Sequence, residues 1–88
     1  MSPANQIRTL RNTYDFYQAR YNASCGVERM YTKEMIDACR ATKKAGDAAD
    51  PANKAAGIAL GIGGKFPLQL ADAKAKILEF ERVAKGLR

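Results

Sequence analysis

Eighty-eight residues carrying fifteen Lys and Arg against nine Asp and Glu, a net charge of +6, make one domain at most and incline it towards acidic partners. There is no His, which takes away the commonest metal ligand and the usual general base near neutral pH; a metal centre or a catalytic site is therefore not expected, and the chain reads as a non-enzyme. No stretch approaches the ~20 apolar residues of a membrane span, the nearest, "AAGIALGIGG", being short and glycine-rich, and the start "MSPANQIRTL" lacks the basic and apolar segments of a secretory signal. That fits a chain made where it works, or a mature fragment whose targeting segment has gone, as in a plastid protein.

In chain order, Ser2-Pro3 opens the first element as a capping residue followed by Pro at the first helical position, where its missing N–H costs nothing. Ile7, Leu10, Tyr14, Tyr17 and Tyr21 then recur at steps of three and four, the period of an amphipathic helix, which is expected over 3–23. The three Tyr on that stripe read as core, with their hydroxyls reaching its edge. Arg11 and Asp15 stand at i,i+4 and are expected to pair on the surface. "SCGVER" breaks the helix at Gly26.

Thr32 is placed to cap a second helix, with Glu34 in its first turn and Tyr31, Met35, Ala38, Cys39 and Thr42 on its inner side; Gly46, after Lys43 and Lys44, is expected to end it. "GDAAD" reads as a linker, and Asp50-Pro51 as the start of a short third helix, "PANKAAGIAL", that fades into the glycines of "GIGGKF". The latter is a tight turn and not a phosphate loop, since its spacing fits neither nucleotide fingerprint and no strand precedes it. Helix four is expected from Pro67 to about Lys85, on the stripe Leu70, Ala73, Ile77, Phe80, Ala84 and Leu87. The fold class is all-α: a single helical domain over 1–88, a small hairpin or bundle of two long and two short helices.

Two features point outward. Phe16 lies on the far side of helix one from Ile7, beside Arg20 and with Arg8 on the same element, and Leu78 and Val83 lie off the main stripe of helix four. Aromatic and aliphatic residues next to Arg have the composition of an interface centre, so Arg8, Phe16, Arg20, Leu78 and Val83 are the candidate docking residues, together with the glycine-rich turn. The helix stripes also leave room for self-association. Cys25 and Cys39 cannot build a zinc site without His; unpaired thiols, a disulfide and covalent attachment of a cofactor all remain open. The sequon at Asn22 is short enough to arise by chance.

Two functions of different class follow. One is a small basic accessory or linker subunit that docks on larger acidic protein subunits and stabilises their assembly. The alternative is a nucleic-acid-binding helical module, which its basic residues allow although most are interleaved with acids and not gathered on one face. In small size, basic charge and an Arg- and Tyr-rich helix, "IRTLRNTYDFYQARY", the whole chain resembles the linker polypeptides of light-harvesting phycobilisomes and the small extrinsic photosystem subunits of algae. That resemblance implies a structural role beside pigment proteins in photosynthesis, and it would make Cys25 or Cys39 a thiol for a covalently attached bilin.

Overall fold

The computed structural model describes residues 2–26, 32–63 and 66–87. They form three helices, α1 (Pro3–Cys25), α2 (Lys33–Gly61) and α3 (Pro67–Ala84), and among the described residues there is no strand. The expected inner position of Tyr31 and the middle of the glycine turn at Gly64-Lys65 lie outside the described residues.

Local chemistry accounts for the helix starts. Ser2 Oγ accepts from the Asn5 N–H at 3.2 Å and Thr32 Oγ1 from the Met35 N–H at 3.2 Å, each satisfying one of the unpaired donors of a first turn. Phe66 precedes Pro67 with no side chain to cap α3. α2 ends at Ile62, and Gly63 turns the chain away at φ 65°, a conformation for which glycine has no Cβ penalty.

The contacts fix the directions. Going up α1, Arg11, Tyr14 and Cys25 meet Asn53, Asp50 and Cys39, so α2 runs antiparallel to α1. Tyr14 packs on Phe80 and Arg20 bonds to Leu87, so α3 runs parallel to α1. The result is an up-down-up bundle measuring 47 × 20 × 17 Å, its length set by α2, which at 1.5 Å per residue spans about 43 Å.

The four-helix expectation is corrected here: the second helix, the linker and the short third helix are one continuous helix that passes through both Gly46 and Pro51. Proline at 51 removes the N–H that the Asp47 carbonyl would accept, a break that costs about 3 kcal/mol in a regular helix. Two things offset it. Both Asp47 and Pro51 are exposed, so water can reach the orphaned carbonyl. On the inner side, Thr42, Gly46, Ala49, Ala52, Asn53, Ala56 and Ala59 form one unbroken buried stripe that holds both halves of α2 to the same neighbours.

The core is built on that stripe. Ile7, Leu10 and Tyr17 of α1 and Ala73, Ile77, Phe80 and Ala84 of α3 close on the alanines of α2, with Phe66 at one end; Leu87 is buried as well. A small-residue face on the middle helix lets its backbone approach both neighbours. A Cβ on Gly46 would come within 3.1 Å of the Phe80 ring, so glycine there makes room for the largest buried side chain. Tyr14, half-buried, sets its ring 5.4 Å from that of Phe80 and donates its hydroxyl to Asp50 Oδ1 at 3.3 Å. Cys25 and Cys39, 5.9 Å apart at Cα, are joined in a disulfide that ties the end of α1 to α2.

Candidate docking surface

Since α1 and α3 are parallel and α2 antiparallel, Pro3, Pro67 and Gly61 all come to one end of the bundle. A groove of about 580 Å³ opens there, walled by Pro3 and Ala4 of α1, Leu60 of α2, and Phe66 and Leu70 at the start of α3, with Arg8 on the α1 side. Its walls are almost wholly apolar. Around it the same end carries the three most exposed large aliphatic side chains of the described residues: Ile58, Ile62 and Leu68, at 69%, 78% and 80% of full exposure. Ile58 and Ile62 are one turn apart on α2, turned away from its buried alanines. None of the three lines the groove, and Ile58 and Ile62 lie on the side of α2 opposite its groove wall Leu60, so they add exposed apolar surface to this end outside the groove.

The charged residues of the chain segments that meet at this end are basic, and Asp15 shares a neighbouring hollow with Arg8, Arg11 and Leu60. Residues 2–14 and 51–71 contain four Lys and Arg and no Asp or Glu. Lys54 is paired with Asp50 at 3.0 Å, one turn back along α2. Arg8 donates from Nη1 to Asn5 Oδ1 at 3.0 Å and Arg11 from Nε to the buried Asn53 Oδ1 at 3.4 Å, both neutral acceptors. Arg11 thus reaches across to α2 instead of pairing with Asp15. It lies over Gly57, where a Cβ would stand 2.7 Å from its Cζ. The positive dipole ends of α1 and α3 lie here beside the negative C-terminal end of α2, leaving a net positive contribution, and the leading N–H groups of α3 have no side-chain acceptor.

Elsewhere some of the charges are paired along their own helices. Lys43 with Asp47, Lys76 with Asp72 and Arg82 with Glu79 form exposed pairs within single helices. Lys54, bonded to Asp50, holds that carboxyl below the usual carboxylate range, with the Tyr14 hydroxyl adding to the effect. Burial, and after it the negative charge of Asp50, pushes the Tyr14 phenol up.

The residues singled out in the sequence do not form one surface. Arg8 sits at the groove. Arg20 lies about 18 Å further along α1 at 1.5 Å per residue, and its Nη2 donates to the Leu87 carbonyl at 3.0 Å, which commits it to holding the C-terminal turn. Phe16 is 60% exposed on the outer side of α1, its ring edge-on to Tyr17 at 4.9 Å. Leu78 is 45% exposed, whereas Val83 is half-buried. Cys25 and Cys39 are bonded to each other, so neither presents a free thiol for a bilin in this state, and the unpaired-thiol reading is likewise corrected. The antiparallel course of α1 and α2 brings the two together, which spacing alone could not reveal.

Ile58, Ile62 and Leu68 were missed because their segment reads as a breaking helix and a turn. The signal that would have found them is the acid-free stretch 51–71, which contains the aliphatic run. Among the described residues no helix is long and apolar enough to cross a membrane, and no three metal-ligating side chains gather. No family model, curated protein or solved structure matches the chain.

Proposed function

We propose that this protein is a small basic docking subunit, which acts by binding an acidic protein within a larger assembly and not by catalysis. The observation that carries this reading is the end of the bundle: an apolar groove with Arg8 as the charged residue among its described walls, and three exposed aliphatic side chains at the same end. Burial of that surface would supply affinity, and Arg8 with the N-termini of α1 and α3 would select for carboxylates and steer the encounter. The photosynthetic setting implied by the likeness to phycobilisome linkers is one place for such a subunit, with a pigment-bearing assembly as its host. Lys43, Lys54 and Lys76 are each paired with an Asp on their own helix, and the basic residues are spread along the chain and not gathered on one face, which favours a protein partner over nucleic acid.

A photo-crosslinking residue placed at position 62, with a second at position 16, tests this in the native source after nuclease treatment. Docking through the end predicts that an acidic protein is captured from position 62. Capture from position 16 alone would move the surface to the side of α1, and association that vanishes with nuclease would replace docking by phosphate binding, with its steep salt dependence.

A further inference from the structure

We infer that the occupant of the end groove is an amphipathic helix of the acidic partner, its aliphatic side chains lying in the groove and its carboxylates against Arg8 and the first turn of α3. The inference rests on the docking reading and names the segment that docks.

Backbone chemistry selects a helix. An extended segment laid into the groove would lose water from its N–H and C=O groups, and these need partners to be buried. Among the described residues there is no strand, hence no sheet edge to supply them. A polyproline segment needs a platform of displayed aromatic rings. The one ring on these walls, Phe66, is buried in the core. A helix satisfies its own backbone and presents aliphatic side chains at i, i+3, i+4 and i+7 to an apolar wall.

The size agrees, since about 580 Å³ admits several aliphatic side chains. Ile58, Ile62 and Leu68, beyond the groove itself, give a larger partner more apolar surface to cover than a small ligand would. Charge then sets the sign of the partner. A second copy of this chain would bring the same acid-free end, or another part of a +6 molecule, against Arg8 and two helix N-termini. An acidic helix meets them with opposite charge.

Three synthetic peptides of about 18 residues, five helical turns, test the inference. The first carries Leu at i, i+3, i+4 and i+7 with Glu flanking them; the second has Lys for Glu; the third has two central Pro residues that stop it forming a helix. Binding to the intact, oxidised protein is followed by methyl NMR of Ile58, Leu60, Ile62, Leu68 and Leu70. The acidic helix should give saturable shifts confined to these methyls, with the Lys and Pro peptides each at least about 10-fold weaker. Arg8→Glu should weaken the acidic peptide by a similar factor, and Ile62→Ser should weaken it with an unchanged melting curve.

Equal binding of the Pro and Glu peptides at these methyls overturns the helix while leaving the docking surface standing. Equal binding of the Lys and Glu peptides overturns the charge selection. If none of the peptides moves these methyls but vesicles containing an anionic phospholipid do, the end is a lipid-surface contact, and both this inference and the docking reading fall. Concentration-dependent shifts at the same methyls without any peptide would assign the groove to a second copy. No response to any of these probes also rejects the amphipathic helix, and the crosslink at position 62 then decides the docking reading separately.

Discussion

At the scale of single residues, Gly46 is the glycine that packs against the core ring of Phe80. A Cβ there stands 3.1 Å from the ring, so a larger side chain displaces Phe80, which is fully buried and meets both α1 and α2. Gly46→Val should therefore lower stability by about 1–3 kcal/mol, as overpacking of a filled core does, read as a fall in the denaturant midpoint at unchanged slope. Asp50 makes a pH-dependent contribution. Its folded carboxyl titrates below the ordinary value because Lys54 and Tyr14 bond to the charged form, so its stabilisation is full above that ordinary value and is lost as pH falls through the folded one. Melting temperature should decline below about pH 4, the usual carboxylate range, and Asp50→Asn should flatten that part of the decline. Tyr14 acts at the other extreme: with its phenol pushed up, its contribution holds below the ordinary phenol value and fades as pH rises through the higher folded one. Much at this scale was legible in sequence, including the caps at Ser2 and Thr32 and the buried stripes of α1 and α3. Gly46 was not. The same residue that ends a helix in a loop can also admit a ring in a core, and only the position of Phe80 distinguishes the two.

At the scale of elements, α2 is where local propensity and tertiary packing disagree. Every marker of a break is present between Gly46 and Pro51, yet the helix continues, because its buried alanines repeat without interruption on both sides of the proline. The periodicity of small residues is a faint signal beside Gly, Asp and Pro, which explains why a linker and a short helix were expected instead. If packing sustains α2 against a lost hydrogen bond, restoring that bond should help. Pro51→Ala is expected to stabilise the protein by about 2 kcal/mol, the interior cost of proline less the entropy it removes from the unfolded chain, measured by denaturant unfolding. The other end of α2 tells a different story. Its first buried residue is Thr42, and between Lys33 and Ala41 the strongest tie to the rest of the bundle is Cys39. Cutting the bond between Cys25 and Cys39, 14 residues apart, should cost about 3 kcal/mol by loop entropy. Amide exchange should then rise most in residues 33–41, while the groove end, held by Ile7, Phe66 and Ala59, keeps its protection.

At the scale of the whole molecule, the organisation is polar along its length: a covalent tie towards one end, a bare apolar groove at the other, and a core of aromatic and aliphatic contacts between. Sequence gave access to the excess of apolar surface and to its association with Arg, but it distributed that surface along the sides of α1 and the last helix. The reason is geometric. Ile58, Ile62 and Leu68 come to the same end as Arg8 only once α2 is known to be continuous and antiparallel to both neighbours, so a misjudged middle helix hid the end groove. Phe16 and Leu78 remain exposed on the flanks, and Arg20 is spent on the C-terminal turn.

The 47 × 20 × 17 Å outline has a consequence for how the molecule tumbles. A rod more than twice as long as it is wide rotates quickly about its long axis and slowly end over end, and amide nitrogen relaxation separates the two motions. A partner seated on the groove lengthens the rod and slows chiefly the end-over-end motion. One seated on Phe16 thickens it and makes the rotation more nearly uniform. The anisotropy of rotational diffusion, rising in the first case and falling in the second, would therefore report where the chain is held before any contact residue has been identified.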